Sequence, residues 1–125
     1  MPYSPQQNGR AEHFNRTIME KALSMLHHAG LSYGFWETAF ETAVHIYNCT
    51  PACSNKWKTP LSYWDGTVPD VSYFRVYGCK AYYHVPDHNR RKLDPKSREA
   101  VFVGYESLSK GYKLWDKHSR TFVVS

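Results

Sequence analysis

The sequence predicts an α+β fold in which two or three helices precede a small basic β-barrel. Apolar residues recur at helical spacing in the first half of the chain, and short segments rich in aromatic and β-branched residues fill the second half. The charge is divided in the same way, since residues 1–70 carry five Lys or Arg and six Asp or Glu, whereas residues 71–125 carry eleven and five. The second half is therefore the part expected to attract phosphate groups.

The composition of the 125 residues argues against several classes of protein. Aromatic residues make up 16% of the chain, whereas disordered chains lack large side chains to bury. No apolar run approaches the roughly 20 residues that cross a bilayer, and the first residues contain no apolar segment typical of a secretion signal. Three cysteines are too few for a disulfide framework. We therefore expect a nuclear or cytoplasmic location, with no secretion and no membrane partner.

A long amphipathic helix is predicted over residues 11–29. Apolar residues recur there at steps of three and four, at Ala11, Phe14, Ile18, Ala22, Met25 and Ala29. Gly30 is typical of the position after a helix end. Glu12 lies at the margin of this apolar stripe, where its carboxylate would point toward whatever packs against the helix. A simple pairing with Arg16 one turn later is the alternative interpretation of Glu12.

A second helix is predicted from residue 33 or 34 to residue 48. Its apolar face is wide, and Glu37, Glu41 and His45 follow one another at spacings of four on the opposite face. Two carboxylates and an imidazole on one stripe could ligate a metal ion. Such a stripe is far more often the solvated side of a helix, and this is the interpretation we favour.

A short third helix is predicted over residues 61–64. Thr59 followed by Pro60 is typical of an N-cap and the first helical position, and Asp65-Gly66 ends the segment. The chain is then predicted to divide into a helical part, residues 1–66, and a β part, residues 71–125.

Four short strands are predicted in the β part. Residues 79–85 alternate, with Cys79, Ala81, Tyr83 and Val85 on one face. The other three segments are 100–105, 111–115 and 121–124. A sheet this small is expected to curl into a barrel that protects its edges. Because the last segment runs into Ser125 without a turn, we expect a truncated final strand.

A basic loop separates the first two predicted strands. Five cationic side chains fall within residues 89–98, namely Arg90, Arg91, Lys92, Lys96 and Arg98. Further cations follow at Lys110, Lys113, Lys117 and Arg120. Such a loop is typical of a surface that binds phosphate backbones, and without a recognition helix the binding would be independent of base sequence. The alternative is a loop that serves solubility alone.

The beginning of the chain resembles the final catalytic motif of the integrases of Ty1/copia-type retrotransposons. Residues 2–17 read Pro-Tyr-Ser-Pro-Gln-Gln-Asn-Gly-Arg-Ala-Glu-His-Phe-Asn-Arg-Thr. The resemblance continues, with consistent spacing, through residues 45–48, 50–51, 58–60, 63–64, 74–82, 102–105 and 110–116. It therefore covers nearly the whole chain.

The resemblance implies a fold and a set of roles. Residues 1–66 would be the C-terminal helical part of an RNase H-like integrase core, and residues 71–125 an SH3-like β-barrel. In the complete family enzyme two Asp and one Glu hold two Mg²⁺ or Mn²⁺ ions for DNA strand transfer. Glu12 takes the place of the third carboxylate, Asn8 and Arg16 match positions that approach DNA, and residues 1–9 would be a mobile loop.

The same alignment places both catalytic Asp upstream of Met1. One carboxylate cannot hold Mg²⁺ against its hydration, so we expect no cofactor for this chain and no enzymatic activity of its own. Without the sheet of the core, the helix at residues 11–29 would expose its apolar stripe to the rest of an integrase or to another protein. The expected function is weak, sequence-independent DNA binding by the basic half. The alternatives are a protein-interaction module and a non-functional relic of a transposable element.

Overall fold

Three helices come first and a four-stranded sheet follows in the computed structural model of this chain, which confirms the α+β class. The structure describes residues 5–51, 56–107 and 110–125, without the side chains of 5–8 and 65. The helices are α1 (Pro5–Ala29), α2 (Trp36–Asn48) and α3 (Pro60–Asp65). A 3-10 turn at Tyr33–Phe35 leads into α2. No helix in the described ranges has the length and apolar character that crossing a membrane requires.

Helix α1 begins at Pro5, six residues before the predicted start. The expected loop is therefore wrong for residues 5–9, because proline is tolerated in a first helical turn and the glutamines after it are good helix formers. The rest of the expected loop, residues 1–4, lies outside the described residues. The predicted end is confirmed. Gly30 has a φ of 68°, its N–H donates to the His27 carbonyl at 3.2 Å, and the Leu31 N–H donates to the Leu26 carbonyl at 3.2 Å. This pair of bonds is a Schellman motif.

The two shorter helices agree closely with the sequence. Helix α2 ends at the predicted residue, Asn48. Helix α3 is one residue longer at each end than predicted, and Thr59 is its N-cap, with Oγ1 accepting the Ser62 N–H at 3.0 Å. Gly66 closes α3 in the left-handed region at a φ of 73°.

The sheet is an antiparallel meander with the strands in chain order. Its strands are β1 (Lys80–His84), β2 (Ser97–Tyr105), β3 (Tyr112–Asp116) and β4 (Thr121–Val124). Val101 pairs with both Lys80 and Trp115, and the register shifts between Phe102 and Gly104, which indicates a β-bulge. All four predicted strands are present, and β2 begins three residues earlier than expected. Strands β1 and β4 lie at the two edges of the sheet.

The centre of the apolar stripe of α1 is buried. Ile18, Ala22 and Leu26 are at most 1% exposed and belong to one core with residues of α2 and the sheet. The other fully buried members of this core are Ala39, Ala43, Tyr77 and Val103. The expectation of an exposed stripe on α1 is therefore wrong, because α2 packs against it and Tyr77 and Val103 belong to the same core.

Polar contacts and one close approach also join the helices to the sheet. The Tyr77 hydroxyl is 2.9 Å from Thr38 Oγ1, and Thr42 Oγ1 donates to the Val103 carbonyl at 3.3 Å. Gly78 has a φ of 84° and lies directly against Ala29 at the end of α1. Helices and sheet therefore share one core in this structure, and the division into residues 1–66 and 71–125 stays a prediction.

The other face of the sheet carries a smaller core and a buried carboxylate. Ala100, Phe102 and Leu114 form this second cluster. Asp116 is 1% exposed and accepts hydrogen bonds from the Tyr83 hydroxyl and from the backbone N–H groups of His118, at 2.8 Å, and Ser119, at 3.2 Å. The bond from Tyr83 holds the pKa of Asp116 below its ordinary value, with the two backbone bonds acting in the same direction against burial.

Candidate nucleic-acid interface

The basic loop between β1 and β2 is held in place by its own backbone. The Val85 N–H donates to the Lys96 carbonyl at 2.8 Å, which closes the base of the loop. Near the tip, the Arg91 N–H donates to Asp94 Oδ2 at 2.8 Å, and the Asp94 N–H donates to the Arg91 carbonyl at 3.0 Å. The carboxylate of Asp94 therefore organises the turn at the tip, and the cationic side chains project from a defined backbone.

Arg90 differs from the other cations of this loop. Its guanidinium forms an ion pair with Asp87, and its side chain is only 16% exposed. Its Nε is buried without a hydrogen-bond partner among the described residues. Because its charge is already paired and its side chain is mostly covered, Arg90 is poorly placed to contact a phosphate. The sequence could not show this, since the pair depends on the 3-10 turn at Asp87–Asn89.

The four remaining cations of the loop are exposed. They are Arg91, Lys92, Lys96 and Arg98. Arg98 lies on β2 and pairs with Tyr83 across the sheet. We name these four residues the basic rim. They lie within eight consecutive positions that contain one acidic residue, Asp94, so the rim carries a local excess of positive charge.

Lys110 and Lys113 do not join the basic rim. Both lysines come after Tyr105, the last residue of β2, whereas the rim ends at Arg98, near its start. At about 3.3 Å per residue, Tyr105 and Arg98 are roughly 20 Å apart along the strand. Lys110 is exposed, whereas Lys113 is half-buried with its Nζ 4.8 Å from the centre of the Phe122 ring. The structure thus divides the predicted nucleic-acid-binding residues of the β part between the two ends of β2, with Lys110 and Lys113 at the end opposite the basic rim.

Two cations outside the main prediction lie near the basic rim instead. Lys117 and Arg120 are exposed in the turn between β3 and β4. Because β2 and β3 are antiparallel and Val101 pairs with Trp115, this turn lies at the end of β2 that carries Arg98. The sequence showed both charges, but only the strand register places them at this end of the sheet.

The residues around Glu12 do not fit a magnesium or manganese site. Glu12 is exposed on α1 and shares a shallow surface hollow of about 430 Å³ with Gly9, His13 and Arg16. Apart from Glu12, the described side chains that line this hollow are an imidazole and a guanidinium, whereas Mg²⁺ requires several oxygen ligands. In the ranges that the structure covers, no group of three His, Cys, Asp or Glu residues could hold a metal ion. The side chain of Asn8 lies outside the described residues.

The stripe of Glu37, Glu41 and His45 is solvated only in part. Glu37 and Glu41 are exposed, whereas His45 is half-buried and stacks on Tyr105 with 4.5 Å between ring centres. His45 Nε2 is 2.7 Å from the hydroxyl of Tyr73. Burial lowers the pKa of His45 below its ordinary value of 6.5. His45 therefore belongs to an aromatic cluster that links α2 to the segment before β1, which helical spacing alone does not reveal.

Comparisons with known proteins show what this chain is similar to. Residues 79–125 match a family described as the retroviral polymerase SH3-like domain. Over its whole length the chain is 42% identical to the retrovirus-related Pol polyprotein from transposon TNT 1-94 of Nicotiana tabacum, and the aligned region is 9% of that polyprotein. The chain is also 36% identical to the corresponding polyprotein from transposon RE1 of Arabidopsis thaliana. That alignment covers 89% of the chain and 8% of the polyprotein.

A further relative is of similar size. The chain is 41% identical to an uncharacterised mitochondrial protein of Arabidopsis thaliana, and the alignment covers 72% of each chain. No solved structure matches the chain significantly. The chain thus spans less than a tenth of the length of the Pol polyproteins it matches.

Proposed function

This chain belongs to the Ty1/copia-type retrotransposon Pol family, and we propose that it binds nucleic acid, independently of base sequence, through the SH3-like part. The observation that carries the proposal is the basic rim, defined above as Arg91, Lys92, Lys96 and Arg98. Three of these exposed cations lie in the loop between β1 and β2, and Arg98 lies at the start of β2. Both carboxylates of that loop are engaged, Asp87 by the Arg90 guanidinium and Asp94 by the Arg91 backbone N–H.

Phosphate contact by the basic rim would supply the affinity and would give no preference for base sequence. Each cation that neutralises a phosphate releases condensed counterions, which favours binding most strongly at low salt. The rim lies in a loop and at the start of β2 and includes no helix that could enter a major groove and read base edges. Lys117 and Arg120 extend the same positive surface, and Lys110 and Lys113 would form a separate contact at the opposite end of β2.

The wider role that we propose is DNA integration, as the integrase portion of a Pol polyprotein. Its support is the motif at residues 2–17, in which Glu12 matches the third carboxylate, and Asn8 and Arg16 match positions that approach DNA. In a complete RNase H-like core, Glu12 would help to hold Mg²⁺ or Mn²⁺. We propose that this chain alone performs no strand transfer, because the described side chains that share the hollow with Glu12 add no oxygen ligand for a metal ion. We also propose that the protein is located in the nucleus or the cytoplasm.

A protein-interaction module built on the apolar stripe of α1 is less well supported. Ile18, Ala22 and Leu26 are already buried by α2 and the sheet. A partner would have to displace that packing in order to reach them. A surface available to a partner must therefore lie elsewhere on the chain.

Removing two charges from the basic rim is expected to weaken DNA binding by about tenfold or more at low salt, since each phosphate contact contributes most when the salt concentration is low. The variant is Arg91→Ala with Lys92→Ala, measured by fluorescence anisotropy on a labelled duplex. The matched control is Lys21→Ala with Lys80→Ala, which removes the same charge from exposed positions on α1 and β1. Equal weakening in the two variants would show that only net charge matters, and would overturn the assignment of the rim.

A further inference from the structure

The turn before α3 and α3 itself expose an unusual set of aromatic side chains. Trp57 is 71% exposed, Tyr63 is 58% exposed and Trp64 is 88% exposed. We name these three residues the aromatic patch. Trp36 and Trp115, by comparison, are half-buried and pack against the main core. A tryptophan is rarely this accessible, because burial of its large indole ring is strongly favourable.

The backbone holds Trp57 outward at a conformational cost. Lys56 and Trp57 have φ angles of 55° and 63°, in the left-handed region that bulky residues rarely adopt. Strain of this kind persists where the surrounding structure enforces it, and it is concentrated at functional sites. The turn is therefore arranged so that the indole of Trp57 faces solvent instead of joining the core.

An apolar cleft of about 320 Å³ adjoins Trp57. Its lining includes Pro51, Trp57, Val68, Pro69 and Val71, with Lys58 among its remaining residues. This volume is at the lower end of the range for small-molecule sites, and it suits one flat, aromatic group. The cleft therefore offers an apolar seat beside a cation.

The charges within the patch favour an anionic ligand. Residues 56–64 contain two lysines, Lys56 and Lys58, and no acidic residue; Asp65 follows. Both lysines are exposed, and Lys58 Nζ lies 5.6 Å from the centre of the Tyr63 ring. Aromatic faces interleaved with cations are the features by which proteins bind the bases and phosphates of single-stranded nucleic acid.

We propose that the aromatic patch binds an unpaired nucleic-acid strand. One base enters the cleft beside Trp57, a second stacks on the exposed indole of Trp64, and Lys56 and Lys58 contact the intervening phosphates. A duplex does not satisfy this surface, because the faces of its bases are already stacked. The site deepens the proposed nucleic-acid function and depends on residues distinct from the basic rim, so each can fail without the other.

The test compares a labelled oligothymidine of about 20 nucleotides with a duplex of equal length, by fluorescence anisotropy at low salt. Replacing Trp57 and Trp64 together by alanine is expected to weaken single-strand binding about tenfold or more, and to change duplex binding less than about twofold. The matched control replaces Tyr33 and Tyr82 by alanine, since their side chains are 66% and 63% exposed. This control should leave the single-strand and the duplex affinities unchanged. Circular dichroism checks that each variant is folded.

Three outcomes would overturn the proposal. They are an unchanged single-strand affinity, an equal loss on the duplex, and a loss of self-association in sedimentation experiments with no change in DNA binding. If the double variant does not fold, Lys56→Ala with Lys58→Ala provides the same comparison without removing aromatic side chains. In a chain that already carries Arg91→Ala and Lys92→Ala, replacing Trp57 and Trp64 should still weaken single-strand binding by the same factor. This comparison separates failure of the aromatic patch from failure of the basic rim.

Discussion

Replacing Gly78 by alanine is expected to destabilise the fold by about 2–5 kcal/mol. Gly78 has a φ of 84°, where a side chain costs about 1–2 kcal/mol. A Cβ at this position would also overlap the Ala29 Cβ and come within 3.1 Å of the Ala29 Cα, which is backbone and cannot rotate away. The end of α1 would then have to move from the sheet. Urea unfolding followed by circular dichroism measures the change.

Gly30→Ala is the matched control for this prediction. Gly30 has a similar φ of 68°, but nothing lies within 4 Å of a Cβ built there. Its substitution should therefore cost only the conformational part, about 1–2 kcal/mol. If Gly78→Ala proves no more destabilising than Gly30→Ala, the helices and the sheet do not pack as described.

Asp116→Ala is expected to destabilise the fold by about 3 kcal/mol, and it should do so at neutral pH. The carboxylate is buried and accepts three hydrogen bonds, from the Tyr83 hydroxyl and from the N–H groups of His118 and Ser119. Removing it leaves these donors without an acceptor, and each unsatisfied buried group costs about 1–3 kcal/mol. Thermal unfolding of the variant and the parent gives the difference.

The same carboxylate makes stability depend on pH in a defined direction. The pKa of Asp116 is lower in the folded state than its ordinary value of 3.8. Its contribution is therefore fully present above about pH 3.8 and is lost as the pH falls through the folded value. Asp116→Asn keeps an acceptor for the backbone N–H groups and should lose less stability at neutral pH than Asp116→Ala. An acid unfolding curve that is identical in the Asp116→Asn variant and the parent chain would contradict this role of the carboxylate.

The elements of the fold could be predicted because their signals are local. The spacing of apolar residues gave α2, Thr59-Pro60 gave the start of α3, and alternation gave the strands. The burial of the α1 stripe could not be predicted in this way. It depends on contacts between residues far apart in the chain, such as Gly78 against Ala29 and Tyr77 beside Thr38.

The candidate interface was predictable in composition but not in arrangement. The sequence located a cationic loop at residues 89–98, whereas the pairing of Arg90 with Asp87 needs the local turn. The separation of Lys113 from the loop needs the strand register. The aromatic patch was not predicted at all, since a tryptophan in a sequence shows no sign of its exposure. The positive φ angles at Lys56 and Trp57 distinguish this turn, and they can be read only from the structure.

The most direct test of the central claim is a salt titration of duplex binding by the unmodified chain. Four exposed cations in the basic rim predict a linear decrease of log K with log salt, with a slope between about −2 and −4 over the range from about 50 to 200 mM. Two duplexes of unrelated sequence should give the same slope and nearly the same affinity. Absence of binding at the lowest salt, or an affinity that does not change with salt, would contradict nucleic-acid binding by this chain.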